Sequence, residues 1–134
     1  MSHFEYEYFQ KEKFTAGHIK RYMDNARRDL LIAQKDPFAE VCFTYAYQAL
    51  IKAGIALIAR KGEVKVRGVP GHHVKILTHM SRLLADEDVF IIGNAMRMKR
   101  NKDLYSGGEH ISKKEAKEYT AFAAKVVAQV AKVI

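Results

Sequence analysis

The stretch that most restricts this chain is Val41 to Ala59, apolar almost all round and broken only by Thr44, Gln48 and Lys52 among its clearly polar residues. A helix apolar on every side has to be buried, either in lipid or among other helices. The three polar residues and the lack of a second span of the same kind favour the second solution, a central helix wrapped by its neighbours. Phe43, Tyr45 and Tyr47 then belong to a core, because a platform for stacking bases needs exposed rings.

The rest of the sequence supplies the wrapping. Residues 15–34 carry Ile19, Tyr22, Met23, Ala26, Leu30 and Ala33 at three-four spacing, with Lys20, Arg21, Arg27 and Arg28 turned outward. Asp36 and Pro37 read as the N-cap and first position of the second helix, which runs to about Arg60 and stops at Gly62. Gly62, Gly68, Pro70 and Gly71 then punctuate a basic loop from Lys61 to Gly71, expected to be mobile. A third helix over 72–84 presents Val74, Leu77, Met80, Leu83 and Leu84.

A fourth helix begins after Asp86, where Glu87 and Asp88 suit its positive end. Its inward stripe is Val89, Ile92, Gly93 and Met96, the glycine allowing close approach of another backbone. It is expected to stop at Gly107-Gly108. Ser112 with Glu115 three residues later is a capping box for a fifth helix bearing Tyr119, Phe122, Ala123, Val126, Val127 and Val130. Ahead of them all, residues 1–14 form an arm in which Phe4 to Phe9 alternate aromatic and acidic residues, a period of two that suits an extended segment. The expected fold is an all-α, up-and-down antiparallel bundle of four to five helices over residues 15–134, without substantial sheet.

With 134 residues the chain fits one domain. Its net charge of +8 and pI near 9.6 favour acidic partners, nucleic acid foremost. The single Cys42 cannot form an intramolecular disulfide and reads as a core residue of a reducing compartment. No apolar leader opens the sequence, so the expected location is cytoplasmic, with no membrane association. His72, His73 and His79 raise a metal hypothesis that spacing weakens. His72 and His79 stand ~10 Å apart along a helix, whereas a helical metal pair uses i, i+3 or i+4. No metal and no cofactor is therefore expected.

The densest polar chemistry lies on the fourth helix. Arg97, Lys99, Arg100 and Lys102 place four cations within six positions, followed by Tyr105. Arg97, Arg100, Asn101 and Leu104 share one helical face, with Tyr105 at its edge, so guanidinium, amide and phenol converge. Lys99 and Asp103 form an i, i+4 pair on another face. Arg97, Lys99, Arg100, Asn101, Lys102 and Tyr105 are the candidate phosphate-binding residues.

This segment, Arg100-Asn101-Lys102-Asp103-Leu104-Tyr105, resembles the motif of HEPN domains (higher eukaryotes and prokaryotes nucleotide-binding), in which an Arg, often followed by a polar residue, precedes a His by four to six positions. The run Thr44 to Ala53 and the Gly71-His72-His73 opening of the third helix are similar to the same family's pattern. The resemblance spans nearly everything from Thr15 onward. It implies a homodimer whose motif helices meet in a basic cleft, and either a metal-independent endoribonuclease of toxin–antitoxin or antiviral systems or a module that binds RNA, nucleotide or a protein partner, such as an antitoxin or a minimal nucleotidyltransferase.

Carried over, Arg100 is the family arginine and Asn101 its polar follower, but Tyr105 stands where the histidine usually does. Tyrosine, with a pKa near ~10, is a poor base at neutral pH. The preferred expectation is thus a dimeric binding module. One alternative is an endoribonuclease using Arg100 with Tyr105 or His110; another is a structural or interaction module in which Arg100 and Asn101 hold a dimer or a helix end.

Overall fold

The computed structural model describes residues 4–106 and 111–134, with residues 103–106 described by backbone alone. Five helices dominate: α1 Ala16–Lys35, α2 Ala39–Gly62, α3 His72–Leu84, α4 Glu87–Ser106 and α5 Lys113–Val133. The expected all-α bundle is the observed one. Two three-residue strands, β1 Phe9–Lys11 and β2 Val64–Val66, add a small antiparallel ribbon in which Phe9 faces Val66.

α2 is the axle. Phe43, Tyr47, Leu50, Leu57 and Ile58 are buried, and its main neighbours are α1, α5 and α3. By length and composition α2 could cross a membrane, but 61% of its most apolar window is buried inside the fold. Its apolar surface is therefore largely used within the bundle. One buried charge interrupts that packing: Asp29 of α1 is 1% exposed and meets the Lys52 ammonium of α2 at 2.7 Å.

Local chemistry fixes the starts of α1 and α5. Thr15 caps α1 by accepting from the His18 amide, and Ser112 with Glu115 completes the capping box of α5. The α1–α2 junction departs from expectation. Asp36 closes α1, its amide bonding to the Ile32 carbonyl, and its carboxylate accepts from the Phe38 amide, so Asp36-Pro37 form a turn and α2 starts at Ala39. At the other end of α2 the left-handed residue is Glu63, with φ of 51°. Gly62 has a different purpose: a Cβ there would fall 2.5 Å from the Phe4 ring. Gly93 likewise admits a side chain rather than a backbone, since its Cβ would lie 2.7 Å from Leu77 Cδ2.

The segment 61–71 is not simply a basic loop. It opens with the last residues of α2 and continues as β2, beyond which Arg67 donates its amide to the Tyr8 carbonyl and its Nε–H to the Tyr6 carbonyl. The arm reaches this position by turning at Tyr6 to Tyr8, so it is not extended throughout. Phe4 stacks on His79 and Phe9 meets the same ring edge-on. Glu5 pairs with Lys75 and accepts from His79 Nε2–H, while Arg82 donates to His79 Nδ1. The arm thereby clamps β2, and β2 leads straight into the loop before α3.

Candidate functional site

Gly71 ends that loop with φ of 84° at the N-cap of α3, a left-handed conformation that glycine takes without strain. The chain then enters α3 at His72 and His73. The first turn of a helix leaves amide N–H groups without intrahelical partners and carries the positive end of its dipole. Facing this turn is α4, whose helical spacing brings Arg97, Arg100 and Asn101 to one side. Together Gly68 to Val74 and Arg97, Arg100 and Asn101 line an open cleft of about 380 Å³. Among the described residues no carboxylate lines it.

Behind the cleft, the buried Tyr47 of α2 bonds through its hydroxyl to His73 Nδ1 at 2.8 Å. The Arg100 guanidinium sits 5.5 Å from the Tyr47 ring centroid, a cation–π contact. Burial pushes the Tyr47 phenol up to about 12, the two arginines opposing this. Burial also pulls His73 down to about 4, helped by His72, Arg100 and Arg97. At neutral pH the pair is thus phenol and neutral imidazole, joined by one hydrogen bond. Arg97 is oriented by Asn94, whose Oδ1 accepts from Arg97 Nε–H at 2.9 Å. His72 and His73 lie edge to face with ring centroids 4.4 Å apart.

Of the residues singled out in the sequence, Arg97, Arg100 and Asn101 converge as expected. Lys99 does not line the cleft. Its ammonium bonds to Glu115 of α5 at 2.6 Å. Lys102 is exposed and also lies outside the lining. Tyr105 has a helical backbone position, but its side chain and His110 lie outside the described residues, as does the expected Gly107-Gly108 stop. Sequence reasoning missed the link from Tyr47 to His73. The signal available was a hydroxyl in an otherwise apolar helix, which needs a partner when buried. A somewhat larger recess of about 450 Å³ between α1, α2 and α5 has mostly small or apolar walls near Cys42, and mixes Asp36 with Lys113 and Lys117. It offers no single-sign convergence.

The perturbed histidine makes stability depend on acid. An unfolded chain protonates His73 near its ordinary 6.5, the folded chain only near 4, so stability falls as pH drops through that interval. His79, lowered chiefly by burial, acts in the same direction. Glu5, held near 2 mainly by Lys75, contributes stability that is retained above the ordinary carboxylate value and lost from there downward. Melting temperatures from pH 7.5 to pH 4 should therefore decline, and His73→Asn should shallow the decline without abolishing it. An unchanged slope in that variant would remove His73 from the account.

Compared with family models, curated proteins and solved structures, the chain finds no match, which leaves its own geometry and the motif resemblance as the grounds for a functional reading.

Proposed function

We propose that the chain is a HEPN-type module that binds RNA or a nucleotide phosphate in the cleft between the start of α3 and the second half of α4. The observation that carries this reading is the convergence of Arg97, Arg100, Asn101 and the α3 N-terminus on one cleft free of carboxylates among the described residues. Guanidinium forks suit phosphate oxygens in pairs, and helix N-termini add amide donors. The reading includes a homodimer. The exposed Ile91, Ala95 and Met98, at spacing four and three along α4, give an apolar strip available to a second copy. It also includes a cytoplasmic site of action, with an antitoxin or nucleotidyltransferase as the kind of protein partner that the resemblance implies.

The test is incubation of the purified protein with mixed single-stranded RNA in EDTA, across a series of salt concentrations. The expected result is intact RNA bound with affinity that falls steeply as salt rises. Fragments ending in 2′,3′-cyclic phosphate would replace the binding reading with the endoribonuclease one. No binding at low salt would remove both.

A further inference from the structure

The two histidines at the start of α3 are held through their Nδ1 atoms by different partners. His73 Nδ1 lies 2.8 Å from the Tyr47 hydroxyl, a group that can donate or accept, so this contact is compatible with either tautomer. His72 Nδ1 lies 2.7 Å from the Val69 carbonyl, which can only accept, so that nitrogen carries the hydrogen and in the neutral ring Nε2 is left as the acceptor. Both residues line the cleft with Arg97, Arg100 and Asn101. The phosphate-binding set is otherwise rich in donors: two guanidiniums and the α3 amides that follow His72. The Val69 carbonyl is already used by the His72 ring and amide, and the Gly71 carbonyl by the Lys75 amide. Asn101 can turn either end of its amide toward a ligand. His72 Nε2 is the ring acceptor whose direction the loop fixes.

A cleft that needs only a phosphate has no use for such an acceptor, because phosphate oxygens at neutral pH chiefly accept. An acceptor fixed beside anion donors fits a ligand whose hydroxyl stands next to its phosphate. Resting on the phosphate-binding reading above, we propose that His72 Nε2 accepts the ribose 2′-hydroxyl of the bound nucleotide, making the cleft selective for ribonucleotides over deoxyribonucleotides. An RNA strand and a free ribonucleotide share this chemistry.

The test compares five ligands at pH 8 in EDTA by fluorescence anisotropy or competition. They are a short single-stranded RNA, the same sequence as DNA, its 2′-fluoro form, and a ribonucleoside monophosphate against its deoxy counterpart. The 2′-fluoro strand keeps the ribose pucker but lacks the O–H donor. The unmodified protein should prefer RNA, or the free ribonucleotide, by about tenfold, the equivalent of one hydrogen bond, and 2′-fluoro should bind like DNA.

Two variants locate the effect. His72→Gln places an amide oxygen near the Nε2 position and should keep the preference. His72→Asn keeps a donor near the Nδ1 position for Val69, loses the acceptor, and should bind RNA only as well as DNA. Equal, salt-sensitive binding of all strands by the unmodified protein would overturn the proposal and leave the phosphate cleft standing. Absence of any binding would overturn the cleft itself. An RNA preference that survives His72→Asn, or an equal loss of RNA and DNA binding in that variant, would also overturn the proposal, the latter by showing that His72 merely holds the loop.

Discussion

Lys52→Met is expected to cost about 3–5 kcal/mol of stability, because it removes the partner of a carboxylate that cannot reach water. Asp29 is 1% exposed, whereas the Lys52 side chain keeps a third of its surface accessible. The two sit on α1 and α2, the most extensively packed pair of helices. The two halves of the pair are therefore unequal. Without Asp29 the lysine can extend toward solvent along its aliphatic stem; without Lys52 the carboxylate stays buried and uncompensated.

In a domain of this size the loss corresponds to roughly 10–20 °C in melting temperature. Asp29→Asn should cost distinctly less. The double variant Asp29→Leu with Lys52→Met should recover most of the loss, since an apolar pair of similar volume often replaces a buried ion pair at little cost. Thermal and urea melts of the three proteins decide the matter. A Lys52→Met protein within about 1 kcal/mol of the unaltered one would sink the account.

Lys52 also shows how far the sequence could be read. As one of three polar residues in an apolar helix it argued against a lipid setting, but nothing local named Asp29 as its partner. Features decided within a few residues were legible: the start of α1 near Thr15, the Ser112–Glu115 box, the His72 start of α3 and the burial of α2. Asp36-Pro37 misled because an aspartate before a proline and an apolar run serves equally as a cap or as a turn, and the side chain took the Phe38 amide. The 61–71 segment looked irregular because its order comes from an arm more than fifty residues upstream, and strand pairing depends on context rather than propensity.

The candidate site divides in the same way. The common face of Arg97, Arg100 and Asn101 follows from helical spacing alone. That this face looks onto the start of α3, with Tyr47 behind His73, depends on tertiary packing and became visible only in the fold.

If that cleft binds phosphate, its two arginines should matter far more than the neighbouring lysine, although all three belong to the same basic run. Arg100→Ala removes a guanidinium that, among the described residues, has no acidic partner; it is held over the Tyr47 ring. A hydrogen bond to a charged group contributes about 1.5–3 kcal/mol, so binding of a short RNA should weaken by roughly 10–100-fold. Arg97→Ala should act similarly, and each change should lower the slope of log affinity against log salt by about one.

Arg100→Lys should recover the salt slope but only part of the affinity, because an ammonium keeps the charge and loses the fork. Lys99→Ala should have little effect on either quantity, since that ammonium is engaged with Glu115 on α5. A surface that attracted RNA by net charge alone would respond alike to loss of any of the three cations. Equal effects of Arg97→Ala, Arg100→Ala and Lys99→Ala in anisotropy titrations would therefore count against the cleft. Loss confined to the arginines, with melting temperatures near that of the unaltered protein, would tie binding to the side of α4 that faces His72 and His73.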